Sequence, residues 1–376
     1  MKDNKKICIA VDVMGGDFGP SVLIPAALWA AKEENLALKL VGQDWMIREI
    51  LEKYPLDGLD VEVVHADEVA EMGDKPSHIL RKKKNTSIQV ACDLVKEGAA
   101  DAVVSAGHTG VTLACGMFTF GRLKGIERPA LATILPREKK PFILIDVGAN
   151  VDAKPRHLVQ FAIMGDSFAR KILKVEEPQI GLLNIGEEPG KGNAQVSAAY
   201  SLLKNTSLNF IGNVEGRDLF GKDVDIAVCD GFVGNIALKL SEGLGLSFRK
   251  MLKKELKRGL LSRLVSFLGA PVFKRFYKKL NYEEYGGAPL LGLKKPVFVC
   301  HGSARELAIF KTIKTAAEFV RTKLNEEIKA LLEKHPEITR FYKIKHIFHT
   351  SKEFAYSHFD ISKEKKEKEG KDESEG

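Results

Sequence analysis

No stretch of about 18 uninterrupted apolar residues occurs in the 376-residue chain, so no transmembrane helix is expected. The N-terminus runs from Met1-Lys2-Asp3-Asn4-Lys5-Lys6 into an apolar stretch too short for a secretory signal. Cysteine is sparse. Cys8, Cys92, Cys115, Cys229 and Cys300 are scattered without metal-ligand spacing, which speaks against structural zinc and for buried thiols in a reducing cytoplasm. No clean G-x-G-x-x-G follows the first apolar run, which weakens a dinucleotide reading. Residues 186–193 (GEEPGKGN) fall one residue short of a P-loop, and Gly192 stands where Ser or Thr would hold magnesium. Neither a Ser-x-Gly nucleophile elbow nor an obvious triad accompanies Ser105 or Ser303. The chain also lacks an obvious metal-binding aspartate cluster, and no metal, cofactor or nucleic-acid partner is expected.

What the sequence has is one repeated pattern. Short apolar, β-branched-rich runs stop abruptly in glycine, asparagine and aspartate: KICIAVD, DAVVSAG, FILIDVG, IGLLNIG, NFIGNVEGRD, DIAVCDGFVGN and VFVCHGSA. Runs without alternation read as strands buried on both faces, the mark of a parallel sheet. Helix-period stretches such as Ala91–Gly98 and Ser197–Leu203 lie between them, giving the strand, helix, strand order of an α/β fold. Ligands of open parallel sheets bind beyond the carboxyl ends of the strands, so one polar cleft built from many strand ends is expected. Residues 1–335 are read as a single α/β domain, with 336–376 as an extension.

The loops suit an anion. Glycine lets backbone N–H groups approach a ligand closely, and a loop opening a helix presents unpaired N–H groups. Lys191 and Arg217 add fixed positive charge, and Asn150, Asn193, Asn213 and Asn235 add uncharged hydrogen-bonding groups. A phosphate-sized anion is the simplest ligand; the alternative is that these residues only form turns. Asp12 and Asp17 flank Gly15-Gly16, so that first loop would repel a pyrophosphate; orienting other groups or binding lysine fits them better. His108 and His301 follow strands, where a general acid or base could sit, or where a histidine could be a hydrogen-bonded structural residue.

The net charge of +8 is concentrated in one place. Between Phe248 and Leu280 eleven basic residues face one acid, Glu255; from totals of 58 and 50, the rest of the chain keeps 47 basic and 49 acidic residues. The segment reads as amphipathic helices broken at Gly259 and at Gly269-Ala270-Pro271, within an inserted region spanning 244–285. Lys253, Lys254 and Lys257, with Leu260, Leu261, Leu264, Phe267 and Leu268, suit an anionic membrane surface or an acidic protein. The alternative is a helix packed on the core or on a dimer partner. After about Pro336 the chain is less regular, His346 and His349 read as surface residues, and the final SKEKKEKEGKDESEG has a disordered composition.

These motifs are specific enough to compare with a family. AVDVMGGDFGP, EMGDKPSHILRKKK, ADAVVSAGHTG, ERPALA, DVGANVD, LNIGEEPGKGN, IGNVEGRD, CDGFVGN and YGGAPLLG resemble, in the same order, the bacterial acyl-ACP:phosphate acyltransferases, also called fatty acid/phospholipid synthesis proteins. The resemblance covers residues 7–320. It implies a layered α/β/α sheet like that of phosphotransacetylase and the isocitrate and isopropylmalate dehydrogenases, working as a homodimer. It also implies transfer of a long-chain acyl group from acyl carrier protein to inorganic phosphate, giving acyl phosphate for phospholipid synthesis.

Phosphate would itself be the nucleophile, so positioning and charge stabilisation remain for the protein. On that reading Lys191, Arg217 and the backbone of Gly190–Asn193 hold phosphate. Asn235 and Asn150 serve the oxyanion, with Asp230 orienting them. Gly15, Gly16, Asp17, Ser105, Gly107, His108, Thr109, Gly192 and Gly231 complete the substrate-binding loops. The basic segment would hold the enzyme at the membrane, near a downstream glycerol-3-phosphate acyltransferase, or dock the carrier protein. His108 departs from the family, which has asparagine there, although both residues can donate a hydrogen bond. A short-chain acyltransferase acting on acetyl- or butyryl-CoA would use the same cleft, but has no use for the amphipathic segment. A hydroxyacid dehydrogenase lacks its fingerprint here, and a membrane scaffold needs no such cleft.

Overall fold

The computed structural model describes residues 6–336 apart from Met72 and Asn281, and at 260, 261, 263, 264, 278, 280 and 282 only the backbone. The extension, with His346 and His349, lies outside the described residues beyond Pro336. Strands β1 (Cys8–Asp12), β2 (Ala37–Gly42), β3 (Asp60–His65), β4 (Ala102–Ser105), β5 (Ala130–Leu135) and β6 (Phe142–Ile145) come first. They are followed by β7 (Ile180–Asn184), β8 (Phe210–Glu215), β9 (Ile226–Val228), β10 (Ala288–Leu291) and β11 (Val297–Val299). All join one 11-stranded sheet in the order β3-β2-β1-β4-β11-β10-β5-β6-β9-β7-β8.

The helices are α1 (Pro20–Glu34), α2 (Asp44–Leu51), α3 (Pro76–Lys82), α4 (Ser87–Lys96), α5 (Thr109–Phe120), α6 (Pro155–Phe168) and α7 (Ala194–Lys204). Then come α8 (Asp218–Gly221), α9 (Gly231–Glu255), α10 (Leu260–Leu268), α11 (Ala270–Leu280), α12 (Glu306–Arg321) and α13 (Leu324–Lys334). Successive strand residues face opposite sides, and β1 divides accordingly. Ile9 and Val11 join the core built with α1, α12, α6 and α13, whereas Cys8 and Ala10 join the one built with α3, α4 and α5. A three-layer α/β/α architecture follows.

All seven apolar runs are strands, but the sheet is not parallel throughout. β5 is antiparallel to both neighbours, and so is β10. The strands from β3 to β11 therefore run one way, and β6, β9, β7 and β8 run the other. A continuous apolar run reports burial and carries no information about direction, which is why an all-parallel sheet was expected. β2, β3, β5 and β10 lie outside the repeated pattern; β3 and β5 run into His65-Ala66 and Pro136-Arg137 rather than a Gly/Asn/Asp loop. At β2 and β3 a charged pair, Lys39 with Glu62, also interrupts the apolar signal.

All five cysteines are free and buried. Burial pushes the Cys8 thiol up to about 11, and Cys115 and Cys300 up to about 12. The basic segment is helical as expected, broken between α9 and α10 and again at Gly269, with Pro271 in the first turn of α11. No helix among the described residues is long and apolar enough to cross a membrane.

Candidate active site

Two buried carboxylates organise the loops. Asp12, at the end of β1, accepts the Ser105 hydroxyl at 2.7 Å, and Ser105 Oγ accepts Gly107 N–H at 3.0 Å. Burial pushes the Asp12 carboxyl above the usual carboxylate range, opposed by the hydroxyls of Ser87 and Ser105. Asp12 thus orients other groups, as its place in the sequence suggested. Gly15 packs on Gly107 so tightly that a Cβ would stand 2.5 Å from the Gly107 nitrogen. Asp17 N–H donates to Gly302 O at 2.8 Å. The loops after β1, β4 and β11 therefore form one block, holding Gly15, Gly16, Asp17, Ser105, Gly107, His108 and Thr109.

The second block surrounds Asp146, just past β6. Its carboxylate accepts N–H groups of Leu131 at 2.9 Å, Ala149 at 3.1 Å and Asn150 at 2.7 Å, and the Asn150 amide at 2.9 Å. Burial pushes this carboxyl up as well, and those bonds oppose it. Asn150 Nδ2 also donates to Pro129 O at 2.7 Å, so both of its hydrogens are engaged within the protein. Gly231 N–H donates to Asn150 O at 2.7 Å, and the N-terminus of α9 seats against the β6 loop.

Between the blocks, at the seam where the sheet reverses, lies a cleft of about 330 Å³. Leu131, Leu135, Val147, Leu238, Ala304 and Ala308 supply apolar walls, and Thr109, Asn235, Lys239, His301 and Ser303 a polar rim. An apolar cavity with a few convergent polar groups is the usual form of a small-molecule site.

The cleft is lined by β5, by segments following β4, β6, β9 and β11 and by the one leading into β10, not by every strand end. Helix α7 is joined to the β6 side by Gln195 Nε2 donating to Ala153 O at 2.5 Å, and the loop after β7, which leads into α7, contributes no residue to the cleft lining. In that loop Gly192 has φ +96°, and a Cβ would stand 2.3 Å from Asn184 Oδ1, so only glycine fits. Lys191 is exposed and has no side-chain partner among the described residues. Arg217, also exposed, pairs with Glu215 at 2.9 Å.

Three of the residues singled out in the sequence are engaged by protein groups. Asn150 has no free donor for an oxyanion. Asp230 caps α9, accepting Val233 N–H at 2.8 Å, and among the described residues its side chain makes no hydrogen bond to Asn150 or Asn235. Asn193 caps α7 through Val196 N–H at 2.9 Å. Both are helix N-caps, for which Asp and Asn are favoured.

A sequence profile described as "Fatty acid synthesis protein" matches residues 7–327. The chain belongs to that family. A phosphate acyltransferase of Nitratidesulfovibrio vulgaris (strain DP4) is 56% identical over 336 residues, 89% of this chain and 97% of the relative. The phosphate acyltransferase of Aquifex aeolicus is 49% identical over 321 residues, 85% of this chain and 95% of the relative. The crystal structure of a phosphotransacetylase from Streptococcus pyogenes superposes with a TM-score of 0.57 at 20% identity, covering 85% of this chain and 95% of that one. A branched-chain phosphotransacylase from Enterococcus faecalis V583 gives 0.51 at 17% identity, covering 84% and 99%. These likenesses show the fold.

His108 now has a physical account. Its Nδ1 accepts the N–H groups of Gly110 at 2.9 Å and Val111 at 3.4 Å, capping α5. Asparagine, the residue that the sequence resemblance leads one to expect at this place, offers an acceptor for the same cap. The sequence reading missed Lys239 and Glu242, which also line the cleft. They follow Asn235 by four and seven residues, one face of a helix, and that spacing could have revealed them. It also left out Asp146, although DVGANVD was noted.

Proposed function

We infer that the chain is a phosphate acyltransferase that moves a long-chain acyl group from the thioester of acyl carrier protein to inorganic phosphate. The product is an acyl phosphate for phospholipid synthesis. Phosphate attacks directly, with no covalent enzyme intermediate. The observation that carries this reading is the apolar-walled cleft with a polar rim, set between the two blocks of strand-end loops. An acyl chain fits the apolar walls, and Lys191 with the Gly190–Asn193 backbone suits phosphate. Asn235, unlike Asn150, has no side-chain hydrogen-bond partner among the described residues and is the better oxyanion donor. Phosphate-dependent thiol release from palmitoyl-ACP, compared with palmitoyl-CoA and acetyl-CoA, tests the reaction. Acyl phosphate formed from palmitoyl-ACP is the expected product. A strong preference for acetyl-CoA would move the chain to the short-chain class, and silence with every thioester would end the enzyme reading.

The helical segment supports a peripheral membrane location. On α9, Phe232, Ile236, Leu240, Leu244, Phe248 and Met251 form an exposed apolar stripe, and Phe267 and Leu268 are exposed on α10. The side chains of Leu260, Leu261 and Leu264 lie outside the described residues. Lys253, Lys254 and Lys257 are exposed in the same region, a basic and apolar combination suited to anionic lipid. The part of the stripe nearer the cleft suits a second copy, consistent with a homodimer, and the downstream glycerol-3-phosphate acyltransferase is the natural consumer of the product. Deleting residues 260–268 is expected to release the protein from phosphatidylglycerol vesicles in a sedimentation assay; undiminished binding would remove the membrane role.

A further inference from the structure

One pair of side chains on the cleft rim has no role in the reading above. His301 and Ser303 follow β11, the strand that leads into the first block. The loop is held firmly: Cys300 N–H donates to Ser105 O at 2.8 Å, Ala304 N–H to His301 O at 2.8 Å, and Gly302 O accepts Asp17 N–H at 2.8 Å. Two residues on, the Arg305 guanidinium lies 4.5 Å from the centre of the Phe18 ring, tying the loop again to the one after β1.

The histidine ring is fixed in a particular way. Ser303 N–H donates to His301 Nδ1 at 3.2 Å, and Ser303 Oγ lies 2.8 Å from the same nitrogen. A backbone N–H can only donate, so Nδ1 is an acceptor and the ring proton sits on Nε2. His301 therefore presents an N–H donor on a rim that it shares with Asn235, and the two come from opposite halves of the sheet.

We propose that His301 is a second oxyanion donor, facing Asn235 across the bound thioester carbonyl. This rests on the acyl-transfer reading. As a phosphate oxygen bonds to the carbonyl carbon, the C=O π electrons move to oxygen. That oxygen accepts hydrogen bonds from His301 Nε2 and the Asn235 amide. Collapse re-forms C=O, breaks the C–S bond and expels the thiolate, which leaves as thiol with the proton that phosphate gives up. His301 donates a hydrogen bond throughout and takes no proton, since its Nδ1 already holds Ser303 N–H. A preorganised donor aimed at developing charge, rather than at the ground state, acts on kcat.

Three variants assayed for phosphate-dependent thiol release, together with ¹⁵N NMR of the histidine rings, test this. His301→Ala should lower kcat about 100-fold or more with little change in the KM for phosphate. His301→Gln, which keeps an N–H donor, should recover much of that loss without shifting the pH–rate profile. Ser303→Ala should have a small effect, because the backbone N–H still holds Nδ1. Free wild-type enzyme should show His301 as the Nε2–H tautomer, and thermal unfolding of each variant separates lost chemistry from lost fold. Wild-type-like kcat in His301→Ala overturns the proposal. So does a Gln variant as inactive as Ala with a displaced pH profile, which would make His301 a base. An Nδ1–H tautomer also overturns it, and this readout stands whether or not the wild-type enzyme transfers acyl groups. Absence of wild-type transfer would instead count against the reaction itself.

Discussion

Gly234→Ala will abolish activity and lower stability by about 3 kcal/mol or more, toward the upper end of the range for forcing atoms into a packed site. A Cβ there would stand 1.9 Å from the Asp146 carbonyl oxygen and 2.9 Å from Cys229 Sγ. Neither neighbour can withdraw, because Asp146 is itself fixed by the N–H groups of Leu131, Ala149 and Asn150. The clash can be relieved only by lifting the start of α9 from the β6 loop, which carries Asn235 away from the cleft. Gly243→Ala, in the same helix with open space around it, is the matched control. It should be neutral or stabilise by up to roughly 1 kcal/mol, the difference in helix propensity between the two residues. Urea midpoints at constant m separate the two substitutions. Equal midpoints for both would mean that α9 does not seat on Asp146 as described.

Lys191→Ala should lower kcat/KM for phosphate by roughly 100-fold, the scale of losing one preorganised charge at a reacting anion. Arg217→Ala should do much less. The two cations are equivalent in the sequence, each directly following a glycine at a strand end. The structure separates them: Arg217 is paired with Glu215, whereas Lys191, on a loop shaped by Gly192 and Asn184, has no side-chain partner among the described residues. Steady-state kinetics with phosphate as the varied substrate decide the matter. Unchanged turnover in Lys191→Ala would remove the phosphate assignment, and an equal loss in Arg217→Ala would mean that Arg217 leaves Glu215 on binding.

The sequence carried the strands because burial on both faces leaves an unbroken apolar run, as in Phe142–Ile145 and Ile226–Val228. It carried the breaks at Gly259 and Gly269 for the same kind of local reason. Strand direction was not legible, because the seam at β5 and β10 depends on which runs pair, and pairing is set by distant packing. The distribution of site roles was hidden for a related reason. Asn150, Asn193 and Asp230 all have the right chemistry for a ligand, and all three meet protein groups first. Only tertiary placement distinguishes a polar residue that caps or braces from one left facing a cleft, as Asn235 and His301 are.

The buried cysteines have a practical consequence. Five thiols are shielded from solvent, and those of Cys8, Cys115 and Cys300 are pushed to about 11 or 12, so little thiolate exists near neutral pH. A disulfide reagent such as Ellman's, added during turnover, will therefore colour only with thiol released from the substrate, and the folded enzyme supplies its own low blank. The same five groups become reactive once the chain opens. One reagent then counts product in the native protein and unfolded molecules in the denatured one, and the rate at which the native protein takes up label measures how often it opens.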